Sequence, residues 1–167
     1  RYPEQGGSMV SRAVSVAMTE PRGPVYLSLP REPLGDAIDP AMPADLTPRH
    51  PARAAAPETE AVAEAAALLS AAQRPLVICQ RGDPDGRLAR ALSDLGARHG
   101  IGTVEPFVVR NVLSGQDPSA LGYAPMLSKE ADVIVVVDSG VPWIEALHAP
   151  APDARIIHIG ADPAFTR

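Results

Sequence analysis

The sequence contains few of the residues on which several classes of protein depend. Its 167 residues include one cysteine, Cys79, which excludes an internal disulfide and any metal site built from several cysteines. Disulfide-stabilised folds belong to oxidising compartments, so this composition favours a reducing one, and we expect a cytoplasmic protein. The longest strongly apolar run, Val133 to Val137, is too short to span a bilayer, so no membrane partner is expected.

Positive charge is also scarce. The chain has 15 Lys and Arg against 20 Asp and Glu, a formal net charge of −5, and its basic residues are scattered rather than clustered. Nucleic-acid binding needs a basic face, so no nucleic-acid partner is expected. Aromatic residues make up only 4% of the chain, which leaves Ala, Val, Leu and Ile to build the core.

The common catalytic motifs are missing as well. The sequence has no G-x-S-x-G elbow and no H-E-x-x-H pair, and its four histidines stand apart. His158, inside the apolar run 156–159, is typical of a core histidine. Cys79, inside the apolar run 76–80, is typical of a buried and inert thiol. We therefore predict no catalytic residue and no metal ligand in this chain.

The first third of the chain predicts one helix, one strand and an irregular segment. Apolar residues recur at helical spacing over 9–20, with Ser8 as the predicted cap, and Val25–Leu29 indicates a buried strand. Prolines then punctuate residues 33–57 and no periodicity persists there. Such composition favours an extended, semi-rigid linker.

From residue 58 onward, helical and strand patterns alternate. Asp83 is the predicted cap of the second helix, with Pro84 at its first position, and Gly100 follows its end. The alternation predicts an α/β fold, a doubly wound parallel sheet of Rossmann-like type, preceded by the helix and strand described above. The predicted helices cover 58–72, 84–99, 126–131 and 144–148, and the predicted strands cover 76–80, 102–105, 133–137 and 155–159.

In such a sheet, ligands bind where the strands end, and the turn after the first of these strands is one candidate. The backbone of Gly82 could approach a phosphate at the start of the following helix. Against this, G-x-G-x-x-G is absent, and Asp83 and Asp85 would repel a phosphate. A turn that only caps the helix is the alternative.

Two further turns supply candidates for cofactor binding. Asp138 and Ser139 follow the Val-rich strand, where Asp138 either accepts a hydrogen bond from a ligand or caps the turn. Asp162 follows the last strand and either contacts a ligand or forms a turn with Pro163. The long loop 106–125 is either functional or packed against another domain. Trp143 is expected to pack against a neighbouring domain rather than to stack on a ligand.

Five segments resemble, in order, the thiamine-diphosphate-dependent enzymes of the acetolactate synthase type. No single segment is specific, but together they extend over nearly the whole chain. They are Arg22–Pro30, Arg74–Ile78, Leu121–Tyr123, Glu130–Val137 and Ala154–Pro163. The resemblance implies a fragment in which residues 1–32 end the pyrimidine-binding domain, 33–57 form a linker and 58–167 form the central domain.

The resemblance also implies a parent enzyme that decarboxylates or joins 2-keto acids with thiamine diphosphate and Mg²⁺. The residues that hold these cofactors would lie outside this chain, so we expect the isolated fragment to be inactive and its partners to be other domains and subunits. The turns at Arg81–Asp85 and Ser139–Trp143 and the residue Gly160 depart from the family's FAD site, which disfavours FAD. A stand-alone adenine-nucleotide-binding module is the alternative.

Overall fold

The computed structural model describes residues 3–41 and 47–161, and the chain divides into two compact units, Arg1–Ala55 and Ala56–Arg167. Each unit is described by itself. The predicted ligand residue Asp162 lies outside the described residues.

The first unit contains a 3₁₀ turn, Pro3–Gln5, and the helices α1, Gly6–Met18, and α2, Arg31–Gly35. The helix predicted over 9–20 is therefore present but begins earlier. Its N-cap is Gln5 rather than Ser8, because the Ser8 hydroxyl lies one turn inside the helix and donates to the Gln5 carbonyl at 3.0 Å.

The strand predicted at Val25–Leu29 is wrong. These residues have no regular secondary structure and are mostly exposed, Tyr26 to 92%. A strand needs a hydrogen-bonding neighbour, and the described part of the first unit contains no other strand to supply one.

The second unit is a five-stranded sheet in which every neighbouring pair is parallel, in the order β3-β2-β1-β4-β5. The doubly wound α/β prediction is confirmed. Helix α3 is Thr59–Ala71, α4 is Arg87–His99 and α5 is Glu145–His148, with a 3₁₀ turn at Pro125–Lys129. The strands are β1 Pro75–Cys79, β2 Gly102–Val104, β3 Ala120–Gly122, β4 Val133–Val137 and β5 Arg155–Ile159.

The core lies on both faces of β1 and β4. Val77, opposite Val135 in the ladder, packs on the face that includes Leu92 of α4, whereas Ile78 and Val136 pack on the other face. Successive side chains of a strand point to opposite faces, so a strand covered on both sides must be apolar throughout. This explains the unbroken apolar run of β4.

The start of α4 differs from the prediction. Pro84 is not its first residue, because the chain first makes a turn in which Gly86 adopts a left-handed conformation, φ 66°, and the helix begins at Arg87. Its end matches the prediction, since Gly100 closes the helix with φ 69°. Strand β3 was not predicted, and it lies inside the long loop that was predicted over 106–125.

Candidate functional site

The sheet order places a switch point between β1 and β4. The chain runs outward from β1 through β2 to β3 and then returns to β4 on the other side of β1, so the connections leave the sheet in opposite directions here. Sheets of this type bind ligands in a crevice at such a point, and the loops that follow Cys79 and Val137 lie on its two sides. These loops carry three of the four predicted ligand residues.

Gln80 joins these two loops. Its side-chain Nε2 donates to the Val141 carbonyl at 2.7 Å, and the residue is only 6% exposed. Its own carbonyl accepts the N–H groups of Val109 and Arg110 at 3.0 and 3.1 Å. Gln80 was not predicted as a site residue, and its only signal in the sequence is a polar side chain at the end of an apolar strand.

Gly82 lies against the loop that follows β2. Its N–H donates to the Arg110 carbonyl at 3.2 Å, and a Cβ at this position would stand 2.5 Å from the Asn111 carbonyl oxygen. Because Gly82 has no side chain, another backbone can come close to it, and residues 110 and 111 of the protein itself do so. Two of the predicted places, the turn after β1 and the loop after β2, are brought together here.

Glu105 holds that loop in place. It too was not predicted as a site residue. Its carboxylate accepts the N–H groups of Val112 and Leu113 at 3.1 and 2.9 Å, and the residue is buried at the end of β2. A buried carboxyl group needs hydrogen-bond partners, and these two main-chain N–H groups supply them. We call residues 106–113 the edge loop, because it covers the carboxyl ends of β1 and β2.

Asp83 occupies the N-terminus of α4. Its carboxylate accepts the N–H groups of Arg87 and Leu88, each at 2.9 Å. Partial burial acts to raise the pKa of Asp83, but the two hydrogen bonds outweigh it and lower the pKa. The free N–H groups that would attract a phosphate are thus already paired with a carboxylate.

On the other side of the crevice, Asp138 begins the β4 loop with the left-handed φ of 42°. Its N–H donates to the Ile159 carbonyl at 2.9 Å, and its Oδ1 lies 3.6 Å from where a Gly160 Cβ would stand. Ser139 is buried, and its hydroxyl donates to the Val137 carbonyl at 3.1 Å. The Asp138 side chain is exposed.

These contacts decide which ligand chemistry fits. A diphosphate at the β1–α4 turn would meet the Asp83 carboxylate and a Gly82 N–H that is already bonded, so the donor set does not fit it. The β4–β5 side offers Asp138 and the small residue Gly160, which fit a hydroxyl or amine donor better than an anion. In the described part of the chain, no group of three His, Cys, Asp or Glu could hold a metal ion.

The other residues that the sequence singled out make contacts within the fold. Cys79 is fully buried, and burial raises the pKa of its thiol to about 12. The Trp143 ring packs on the β1–β4 core of its own unit, and its Nε1 donates to Glu145 at 3.1 Å. His158 is half-buried beside Gly160. No helix in residues 3–41 and 47–161 has the length and apolarity needed to cross a bilayer.

Residues 62–167 match the family model described as "Thiamine pyrophosphate enzyme, central domain". Among curated proteins, the chain is 26% identical to oxalyl-CoA decarboxylase of Escherichia coli (strain K12), over 96% of this chain and 29% of that protein. It is also 26% identical to the acetolactate synthase large subunit of Parasynechococcus marenigrum (strain WH8102), over 98% of this chain and 28% of that protein. The chain thus spans less than a third of these relatives.

Solved structures share the fold of this chain. A Mycobacterium smegmatis protein assigned as a thiamin diphosphate-dependent enzyme superposes with a TM-score of 0.77 at 23% identity, over 98% of this chain and 33% of that one. Benzoylformate decarboxylase from Polynucleobacter necessarius superposes with a TM-score of 0.70 at 26% identity, over 98% of this chain and 32% of that one.

Proposed function

This chain belongs to the thiamine pyrophosphate enzyme family, whose central domain it carries, and from this premise we propose that it is the architectural middle of a larger enzyme. In this proposal, residues 1–32 end a pyrimidine-binding domain, 33–57 connect it to the next domain and 58–167 form the central domain. The central domain spaces the parts of the enzyme that bind the cofactor.

The hydrogen bonds that hold the edge loop in place are the observation that best supports this proposal. Glu105 and Gln80 bind it across the ends of β1 and β2, where a nucleotide would otherwise approach the sheet. Asp83 pairs with the N–H groups of α4 in the same region. The donors and acceptors of this region thus bind one another, as expected of a domain with a structural role.

For the parent enzyme, we propose decarboxylation or ligation of a 2-keto acid in the cytoplasm by an oligomer. Thiamine diphosphate, with Mg²⁺ on its diphosphate, supplies the nucleophilic carbon for such reactions. The names of the relatives support the reaction class, since they include decarboxylases and a synthase. This chain would contribute domain spacing and contacts with other domains and subunits, and no group to the chemical step.

A second candidate function is binding of an adenine nucleotide on the β4–β5 side of the crevice. The observation that favours it is the exposed Asp138 carboxylate beside Gly160, which could accept hydrogen bonds from ribose hydroxyls. Ser139, Gly82 and Asp162 are the other residues that the sequence predicts for this candidate. The diphosphate of FAD or of ADP would have to lie away from the β1–α4 turn, because the N–H groups of that turn are already paired.

Isothermal titration of the purified chain with ADP and with FAD separates the two candidates. The architectural role predicts no binding heat from a chain that melts cooperatively. Micromolar binding of ADP that is lost in Asp138→Asn but kept in the control Asp153→Asn would overturn it in favour of the second candidate. Asp153 is an exposed aspartate in the turn before β5, so the control removes the same charge elsewhere.

A second assay addresses catalysis directly. The chain is incubated with pyruvate, thiamine diphosphate and Mg²⁺, and release of CO₂ is followed. We expect none above the protein-free rate. Turnover that scales with the concentration of the chain would contradict the assignment of all chemical groups to regions outside it.

A further inference from the structure

Three hydroxyl groups of α1 bind the chain segment 47–52. Ser11 donates to the Thr47 carbonyl and accepts the Arg49 N–H, both at 2.9 Å. Ser15 donates to the His50 carbonyl at 2.9 Å, and Thr19, at the end of the helix, accepts the Ala52 N–H at 3.1 Å. We call residues 47–52 the strap.

The spacing of the contacts follows from the geometry of the two segments. The hydroxyls recur every four residues along α1, which is about 6 Å of helix rise. The strap advances by two residues between successive contacts, centred near positions 48, 50 and 52. An extended proline-type chain rises about 3.1 Å per residue, so two residues also cover about 6 Å. Pro48 and Pro51 favour this conformation, and the two segments stay in register.

Hydrogen bonds, rather than apolar burial, hold the strap. All six of its residues are exposed, so little of their surface is removed from water. Exposed bonds of this kind open more readily than a packed core does. We therefore expect the strap to detach more easily than a packed segment would.

We propose that Ser11, Ser15 and Thr19 form a latch that fastens the strap to α1 and so shortens the connection between the two units. With the strap bound, only residues 53–58 separate Ala52 from the start of α3. Six extended residues reach about 20 Å at most. When the strap leaves α1, residues 47–52 become part of the connection, and the maximal length of the connection increases. The three hydroxyls thus control the length of the connection between the two units.

Limited trypsin digestion of the full chain tests this proposal, because the Arg49–His50 bond lies inside the strap. A protease must bind this segment in extended form and free of other partners. The reference is a synthetic peptide of residues 45–57, which has the same cleavage site without α1. We expect cleavage in the chain to be slower than in the peptide by about tenfold or more.

The variant Ser11→Ala/Ser15→Ala should reduce that protection to about twofold or less. Ser8→Ala is the matched control, because Ser8 lies on the same helix but donates to the Gln5 carbonyl, away from the strap. Protection that is absent in the wild-type chain, or that persists in a double variant with unchanged circular dichroism, overturns the proposal.

Amide hydrogen exchange provides a second test that requires no variant. The Arg49 and Ala52 N–H groups donate to side-chain hydroxyls in the native chain, so both should exchange more slowly than in the peptide. Exchange of both at the peptide rate would refute the latch even if the double variant fails to fold.

Discussion

The side-chain amide of Gln80 donates to the main-chain carbonyl of Val141 across the switch point of the sheet, at 2.7 Å. This bond joins the loop after β1 to the loop after β4, which are 61 positions apart in the sequence. The bond therefore holds two distant segments together at the carboxyl ends of β1 and β4.

Gln80→Leu is expected to lower the free energy of unfolding by about 1 kcal/mol, because the Val141 carbonyl loses its partner while the buried volume is nearly unchanged. Urea denaturation followed by circular dichroism measures this difference. Gln116→Leu is the matched control at an exposed turn and should change stability little. Equal effects of the two substitutions would mean that the Gln80 bond contributes nothing specific.

Gly82→Ala is expected to destabilise the domain by about 1–3 kcal/mol. The new Cβ would stand 2.5 Å from the carbonyl oxygen of Asn111, which is a backbone atom of the edge loop. The same denaturation assay measures the effect. Gly115→Ala, where a Cβ meets nothing within 4 Å, should leave stability within about 1 kcal/mol of the wild type. An unchanged Gly82→Ala protein would show that the loop shifts without cost.

Local patterns were sufficient to predict the centre of the fold. The apolar run of Val133 to Val137 predicted strand β4, and Gly100 predicted the end of α4. Both depend on neighbours in the sequence, on side-chain alternation in one case and on glycine's access to positive φ in the other. The doubly wound class followed from the alternation of such segments.

Contacts between distant segments were not predictable in the same way. Val25–Leu29 is apolar enough for a strand, but strand formation depends on a neighbouring strand that local sequence does not reveal. Strand β3, with three residues at the sheet edge, is too short to give a period. The candidate site depends on Gln80 and Glu105, whose partners lie 61 and up to 8 positions away, and no motif marks either residue.

Cys79 is expected to resist thiol reagents in the folded chain. Burial raises its pKa to about 12, so the reactive thiolate is disfavoured, and the sulfur is also inaccessible. Labelling with a maleimide, followed by mass spectrometry, should be at least about 100-fold slower than in the chain unfolded by guanidinium. Labelling of the native chain at the unfolded rate would contradict the buried position of this thiol.

Asp132 should make the stability of the domain depend on pH. Its carboxylate accepts the Gln73 N–H at 2.7 Å and the Arg74 N–H at 2.9 Å, at the point where the chain enters β1. The Gln73 bond is the largest cause that lowers the pKa of Asp132, partial burial opposes it, and the Arg74 bond adds to it. The ionised carboxylate is therefore favoured in the folded state.

A pKa lowered by folding means that the contribution of Asp132 is fully present above the ordinary aspartate value of 3.8. It is lost as the pH falls below that value and through the lower pKa of the folded state. Asp132→Asn removes the charge at every pH, so it should be less stable than the wild type near neutrality, and the two proteins should converge in acid. Unfolding by urea at about pH 7, 5 and 3 measures the difference, with Asp153→Asn as the control. A stability difference that stays constant over this range would show that the charge of Asp132 does not stabilise the fold.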